Sequence, residues 1–391
     1  MSLTRKTLAA LAVTLLAGTA AIAAPKEFTT FPAPKAQHEV KVTVVAEGLD
    51  TPWAIAFMPD GRILVTERIG NVRVIKDGKL LPEPISGLPK IEEVRQGGLL
   101  DIALDPDYSQ NRFVYLSFIE KAEKGPDAKP RDQDKGIRTV IARFTDDGTA
   151  FKDMKVLFKG SLVDSGLHFG SRFAFDKEGH IYFGIGDRGA QNRAQDLMDA
   201  AGKVFRLNRD GTVPTSNPFV GRSDALPETF TYGNRNPQGL ATQPDTGLIW
   251  ESEHGPQGGD EINILRPGTN YGWPVITYGK TYGLGRKIGE GTEKEGMAQP
   301  ELYFVPSLAL AGMTFYEGGA LPFWRGDLIV GLLAGGIARL DVEGDKVVAT
   351  ERLLTDELHR TRDVAVGPDG RLYALIEAGA PDGKLVRIDR K

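Results

Sequence analysis

From about residue 38 onward the chain alternates short apolar runs with turn residues, and it almost nowhere carries the three-to-four-residue spacing of a helix. This pattern predicts an all-β protein. One unit recurs: an apolar strand, a turn of the Pro-Asp-Gly kind, and a second alternating strand. It stands at residues 54–66, at 101–107 running on to 113–117, at 173–183, at 239–250, in a degenerate copy around 313–318, and at 364–374. In these turns proline presets the bend and glycine accepts the left-handed conformation of a tight hairpin. Six units over the folded length give roughly 60 residues each, more than the about 40 to 45 of a compact four-stranded blade. The expected fold is therefore a six-bladed β-propeller of four-stranded antiparallel blades with long loops, spanning 38–391. An open sandwich would not repeat six times. Two stretches break the pattern, the charged 120–135 and the glycine-rich 278–295, and both read as surface loops, the second placed to cover a site.

Ahead of the repeats, Arg5 and Lys6 precede an apolar run from Leu8 to Ala20 and the small-residue signal at 21–23. Residues 1–23 thus read as a secretory signal peptide with the mature chain starting near Ala24, and a bacterial periplasm as the destination. The run is shorter than the roughly 20 residues needed to cross a bilayer, so no membrane span is expected. Residues 24–37, with three prolines, read as an extended lead-in. A net charge of -4 gives no basic footprint for nucleic acid, and the absence of cysteine excludes disulfides, thiolate metal sites and cysteine nucleophiles.

A propeller brings one loop per blade to its central channel, so polar residues just ahead of each repeat converge. Before the third repeat stands His168, one of only five histidines, able to take a proton near neutral pH or to serve as a hydrogen-bonded structural residue. Asp187 follows the next strand and could orient that imidazole or simply form a turn. Arg235 and Asn236 lie beside a proline bend before the fourth repeat. Arg360 and Arg362, two apart before the sixth, would share a strand face, and two like charges there suggest an anion between them or a solvated pair at a blade edge. The segment 253–263 clusters carboxylates and turn carbonyls of the kind calcium prefers, but without the spacing of an EF-hand.

Together, residues 96–100, 167–170, 186–189, 235–239, Gly255 and Pro256 with 260–263, 270–274 and 360–363 resemble one family, the soluble pyrroloquinoline quinone (PQQ)-dependent aldose sugar dehydrogenases of the glucose/sorbosone dehydrogenase group. The resemblance spans nearly the whole mature chain. It implies oxidation of a sugar C1 hydroxyl to the lactone, with His168 as general base, Asp187 orienting it, and a hydride passing to the quinone. It further implies that Gln96, Arg235 and Asn236 line cofactor and substrate, with Arg235 beside the chemistry. Arg360 and Arg362 would bind the three carboxylates of the cofactor, and the Gly255 and Pro256 carbonyls a calcium that touches the quinone. An electron acceptor, quinone or cytochrome, would follow, and the enzyme would be a monomer or homodimer. Two positions depart from the glucose-specific branch: Ala334 replaces a cofactor-contacting lysine, and Leu167 an aspartate before the histidine. The second favours broad aldose use. The rival functions are a calcium-dependent propeller lactonase, which needs no arginine cluster, and a non-catalytic sugar-binding propeller, which needs no His-Asp pair.

Overall fold

A computed structural model describes residues 25–28, 40–126 and 128–391. The expected signal peptide of 1–23 and most of the lead-in lie outside them. Six sheets follow one another along the chain. The first blade is Pro52–Phe57, Ile63–Glu67, Asn71–Lys76 and Lys79–Leu80. The second is Leu99–Leu104, Phe113–Glu123, Lys135–Asp146 and Phe151–Lys159. The third is Phe173–Phe175, His180–Ile185, Lys203–Asn208 and Thr229–Tyr232. Pro237–Thr242, Ile249–Glu253, Asp260–Ile264 and Leu302–Phe304 form the fourth. Leu310–Phe315, Leu328–Leu332, Ile337–Glu343 and Lys346–Leu353 form the fifth. The sixth joins Thr361–Val366, Leu372–Ile376 and Gly383–Arg390 to Val40–Leu49 from the start of the chain.

Five of the recurring sequence units are each the inner hairpin of one blade, and the degenerate one at 313–318 marks only the first strand of the fifth. Gly61 and Gly370 in the Pro-Asp-Gly turns have φ of 85° and 71°, the left-handed backbone those turns require. The inner strands touch their neighbours in turn around a ring, and the sixth meets the first. Closure is mechanical, because Val40–Leu49 pairs antiparallel with Gly383–Arg390. Contact with the propeller in fact begins earlier in the sequence, since Lys26–Glu27 adds a parallel fifth strand to the fourth blade against Leu302–Tyr303.

There is no single core. Six apolar clusters each fill one interface between adjacent blades. Strand alternation divides the side chains between them: Ile181 and Phe183 pack toward the second blade, and Tyr182 between them toward the fourth. Middle strands are therefore apolar on both faces, as in a parallel sheet, although they are antiparallel. The charged stretch 120–135 is not wholly a loop. Its ends prolong a long hairpin in which Arg138 donates to Glu120 at 2.7 Å across the strands, so the charges solvate a projecting ribbon. The stretch 278–295 is a loop, with Lys280 bridging back to Gln257.

A buried arginine closes the channel. Arg172 reaches Asp101 at 3.0 Å and Asp363 at 3.1 Å, and its guanidinium lies 4.1 Å from the centre of the Trp53 ring. It also donates to the Gln238 carbonyl at 3.3 Å, and a Cβ on Gly312 would stand 2.9 Å from its Nη2. All six blades thus meet at one side chain.

Candidate active site

Above this seal lies a cavity of about 150 Å³ lined by Trp53, Arg68, Gln96, Phe169, Asn236, Gln238, His254, Leu333, Arg360, Arg362 and Glu377 among others. Its walls come from all six blades, from the loops ahead of the second, third, fourth and sixth inner strands and, in the first and fifth blades, from Arg68 and Leu333 after the second strand.

His168 immediately precedes Phe169 of the cavity wall, though it is not itself part of that wall, and it holds a left-handed backbone conformation with φ of 49°. A non-glycine residue pays for such a conformation, and here three contacts impose it. Its N–H donates to Gln96 Oε1 at 2.9 Å, its Nδ1 meets Asp187 Oδ1 at 2.5 Å, and Gly186 makes room, since a Cβ there would come within 2.5 Å of the His168 carbonyl. The Nε2 atom takes no hydrogen bond from a described residue, and the side chain keeps 13% exposure.

Asp187 is buried and fully engaged. It also accepts the Gly189 N–H at 2.7 Å, and its second oxygen accepts the Trp273 indole N–H at 2.7 Å. Burial pushes its carboxyl up, but the His168 bond, the charge on that ring, the Gly189 amide and the nearby Arg235 outweigh it and hold it below the usual range. The carboxylate is thus ionised and engages Nδ1 of the ring, leaving Nε2 as the nitrogen turned away from it. The structure brings His168 and Asp187 together, as their places around the repeat suggested, and joins to them Gln96, which only the family resemblance implied.

Arg360 and Arg362 converge too, but not by strand alternation. Arg360 lies outside Thr361–Val366 with φ of 40°, and both guanidiniums turn onto Glu377 Oε2, at 3.2 Å from Arg360 and 2.7 Å from Arg362 Nε. The anion between the two arginines is a protein carboxylate. Burial pushes the Glu377 carboxyl up, yet Arg362 and Arg360 hold it below its usual range. Gln238 accepts from Arg362 at 3.0 Å and donates to Asn236 at 3.1 Å, linking that site residue to the same network.

Arg235 lies deeper than the cavity wall. Its guanidinium donates to the His254 carbonyl at 2.9 Å and the Gly255 carbonyl at 2.7 Å, 5.2 Å from the centre of the Trp273 ring. Its backbone N–H donates to Glu253. His254 is half-buried in the wall, and its buried Nε2 has no partner among the described residues. Burial, with Arg362 and Arg235 beside it, drives its pKa down to about 3, so it is a neutral polar group turned to the site.

Behind Gly255, the register of the fourth blade sets Glu251 opposite Asn263 and Glu253 opposite Glu261. All four are buried, and the Asn263 amide reaches all three glutamates, at 3.0, 3.3 and 3.4 Å, while Glu253 also accepts the backbone N–H groups of Arg235 and Asn236. Burial raises all three carboxyls, Glu253 to about 7, and repulsion within the group adds to the shift at Glu251 and Glu261. These are hard oxygens that their protein partners leave under-neutralised, the kind calcium prefers, but the three carboxylates do not bring three ligand oxygens into one coordination sphere, which among the described residues only Asp176, Glu178 and His180 do. The Gly255 position tolerates nothing larger than glycine, because a Cβ would lie 2.2 Å from the Gly259 carbonyl.

Arg68, Trp273, His254 and Glu377 are site residues to which sequence reasoning assigned no role. One signal was available for Glu377: an acid closes the second strand of the repeat at Glu67 and Glu253, and at Asp187 and Glu377 it follows one or two residues later.

Residues 49–387 match the sequence profile described as glucose/sorbosone dehydrogenase. The aldose sugar dehydrogenase YliI of Escherichia coli is 41% identical over 354 residues, 89% of this chain and 92% of that protein. The structure of the soluble aldose sugar dehydrogenase of E. coli in its apo form superimposes with a TM-score of 0.82 at 40% identity, covering 90% of this chain and all of that one. That of a PQQ-bound aldose sugar dehydrogenase from Streptomyces coelicolor gives 0.71 at 25% identity, covering 93% and 100%. Among the described residues no helix is long and apolar enough to cross a membrane.

Proposed function

The chain belongs to the glucose/sorbosone dehydrogenase family, and on that premise we propose that it oxidises the C1 hydroxyl of aldose sugars to the lactone with PQQ and calcium, in the periplasm. The observation that carries the reading is the His168–Asp187 pair, an imidazole with Nδ1 held and Nε2 open beside a cavity rimmed by guanidiniums.

Nε2 of His168 takes the proton of the C1 hydroxyl, and as the C1–O bond gains double-bond character the hydrogen on C1 leaves with its electron pair. The imidazolium so formed is stabilised by the ionised Asp187, whose orientation the Trp273 and Gly189 donors fix. Bound PQQ would supply the acceptor for that electron pair, with calcium polarising its carbonyl. Arg360 and Arg362 would hold its carboxylates, Gln96 and Asn236 its flanks, and Arg235 the charge next to the reacting edge. The Gly255 and Pro256 carbonyls would face the calcium, which requires the Arg235 guanidinium to release Gly255 or share it. His168 then returns its proton to solvent, and an external quinone or cytochrome would take the electron pair from the reduced cofactor.

The aldose sugar dehydrogenases among the relatives support sugar oxidation, and the PQQ-bound one the use of PQQ. The guanidinium cluster disfavours a lactonase, which activates water and has no polyanion to hold, and the oriented base disfavours a mere sugar-binding module. Leu167, an apolar residue before the base, favours a broad range of aldoses.

The test is reconstitution of apoprotein with calcium and PQQ, followed by dye reduction over a panel of aldoses. Sugar-dependent, cofactor-dependent reduction is expected, and none with any sugar sinks the reading. His168→Gln should bind cofactor as the wild type does and lose turnover by about 10²- to 10⁴-fold.

A further inference from the structure

We propose that Arg68 is the third guanidinium that holds the cofactor's carboxylates, supplying from the first blade the cation that Ala334 withholds on the fifth; the inference rests on the PQQ reading above. Arg68 lines the same cavity as Arg360 and Arg362. It approaches Glu377 Oε1 at 3.9 Å, while the other two arginines bind Oε2 of that carboxylate. Three fixed positive charges therefore share one buried carboxylate, and Glu93, 3.5 Å from Arg68, is a screened surface partner. The cluster is left with an excess of cationic charge facing the cavity, the condition that a polycarboxylate satisfies. Ala334 adds none, although the neighbouring Leu333 lines the cavity.

The backbone around Arg68 is built to place it. Its N–H donates to the Thr51 carbonyl at 3.2 Å and its carbonyl accepts from Leu99 at 3.0 Å, which ties the end of the first blade to the second. Gly98 packs directly under it: a Cβ there would stand 2.0 Å from the Arg68 carbonyl and 2.6 Å from its Cγ. The second glycine after Gln96 thus reserves the space of the arginine stem. The side chain keeps 24% exposure, between the buried Arg362 and the open Arg360, so it can turn from Glu377 to a ligand without losing its packing.

The test is a direct binding titration, independent of turnover. PQQ is added to calcium-loaded apoprotein and the fluorescence of Trp53 in the cavity wall is followed for wild type, Arg68→Gln and Arg68→Lys. Loss of one charge-assisted contact should raise Kd about 10- to 100-fold in Arg68→Gln, with Arg68→Lys between it and wild type. Melting of the apoproteins, run alongside, should agree within a few degrees. If wild type binds and both variants bind within twofold of it, this inference fails and the PQQ reading stands. If wild type itself does not bind, both fall.

Discussion

At the scale of single residues, the site depends on what holds the base. Asp187→Asn preserves shape but replaces a carboxylate that only accepts with an amide that also donates, so the imidazole loses its fixed tautomer and the charge that stabilises its protonated form. A kcat loss of about 10²- to 10⁴-fold with an unchanged PQQ Kd is expected. Trp273→Phe keeps the ring beside Arg235 but removes the donor to Asp187, and roughly a tenfold loss in kcat is expected, again without change in cofactor affinity. Asp187 is held below the ordinary carboxylate range, so its contribution is intact above its unfolded pKa of about 4 and fades only as pH falls below that. Any acid limb of kcat/KM contributed by Asp187 should therefore lie below pH 4; an activity loss traced to this carboxylate at higher pH would contradict its depressed pKa. His168 and Asp187 were legible in the sequence because each flanks a strand of the same repeat. Trp273 and His254 were not, since the indole meets its carboxylate across 86 positions and two blades, a contact only the closed ring creates.

At the scale of elements, the hairpin Ile249–Glu253 and Asp260–Ile264 concentrates three acids and one amide on a single buried face. Its alternation explains the cluster: 251 and 253 share a side, as do 261 and 263. Asn263→Leu removes the shared donor and should cost about 2 to 4 kcal/mol in the calcium-free protein, seen as a lowered denaturation midpoint. Added calcium should raise the melting temperature of wild type and a chelator lower it, by mass action on the native state. A melting temperature insensitive to both would remove the cation from this hairpin. The sequence disclosed the inner two strands of five blades, because both of their faces are buried and their turns carry Asp and mostly Pro and Gly, but in the fifth blade its degenerate unit marked only Leu310–Phe315. It disclosed the outer strands less well. Phe151–Lys159 and Lys346–Leu353 are largely exposed, so the apolar alternation that marks a strand fades from them.

At the scale of the whole molecule, six separate interface cores are held in register by two devices, the strand Val40–Leu49 that joins the first part of the chain to the last blade, and Arg172 on the axis. The repeat count made the ring predictable; the axial arginine was not, because its partners at 101 and 363 come from blades that only closure brings together. Arg172→Met leaves Asp101 and Asp363 buried without their cation and should cost about 3 to 5 kcal/mol in unfolding free energy. The arginine has a kinetic consequence as well. A channel plugged at its waist is a well with one mouth, so sugar, lactone, released proton and electron acceptor all pass through the same opening. Sugar and acceptor should then take turns: initial rates plotted reciprocally against sugar at several acceptor concentrations should give parallel lines, and excess sugar should slow the acceptor's half of the cycle by occupying the door it needs. Intersecting lines would mean that the two can be present at once, and that a second way in exists.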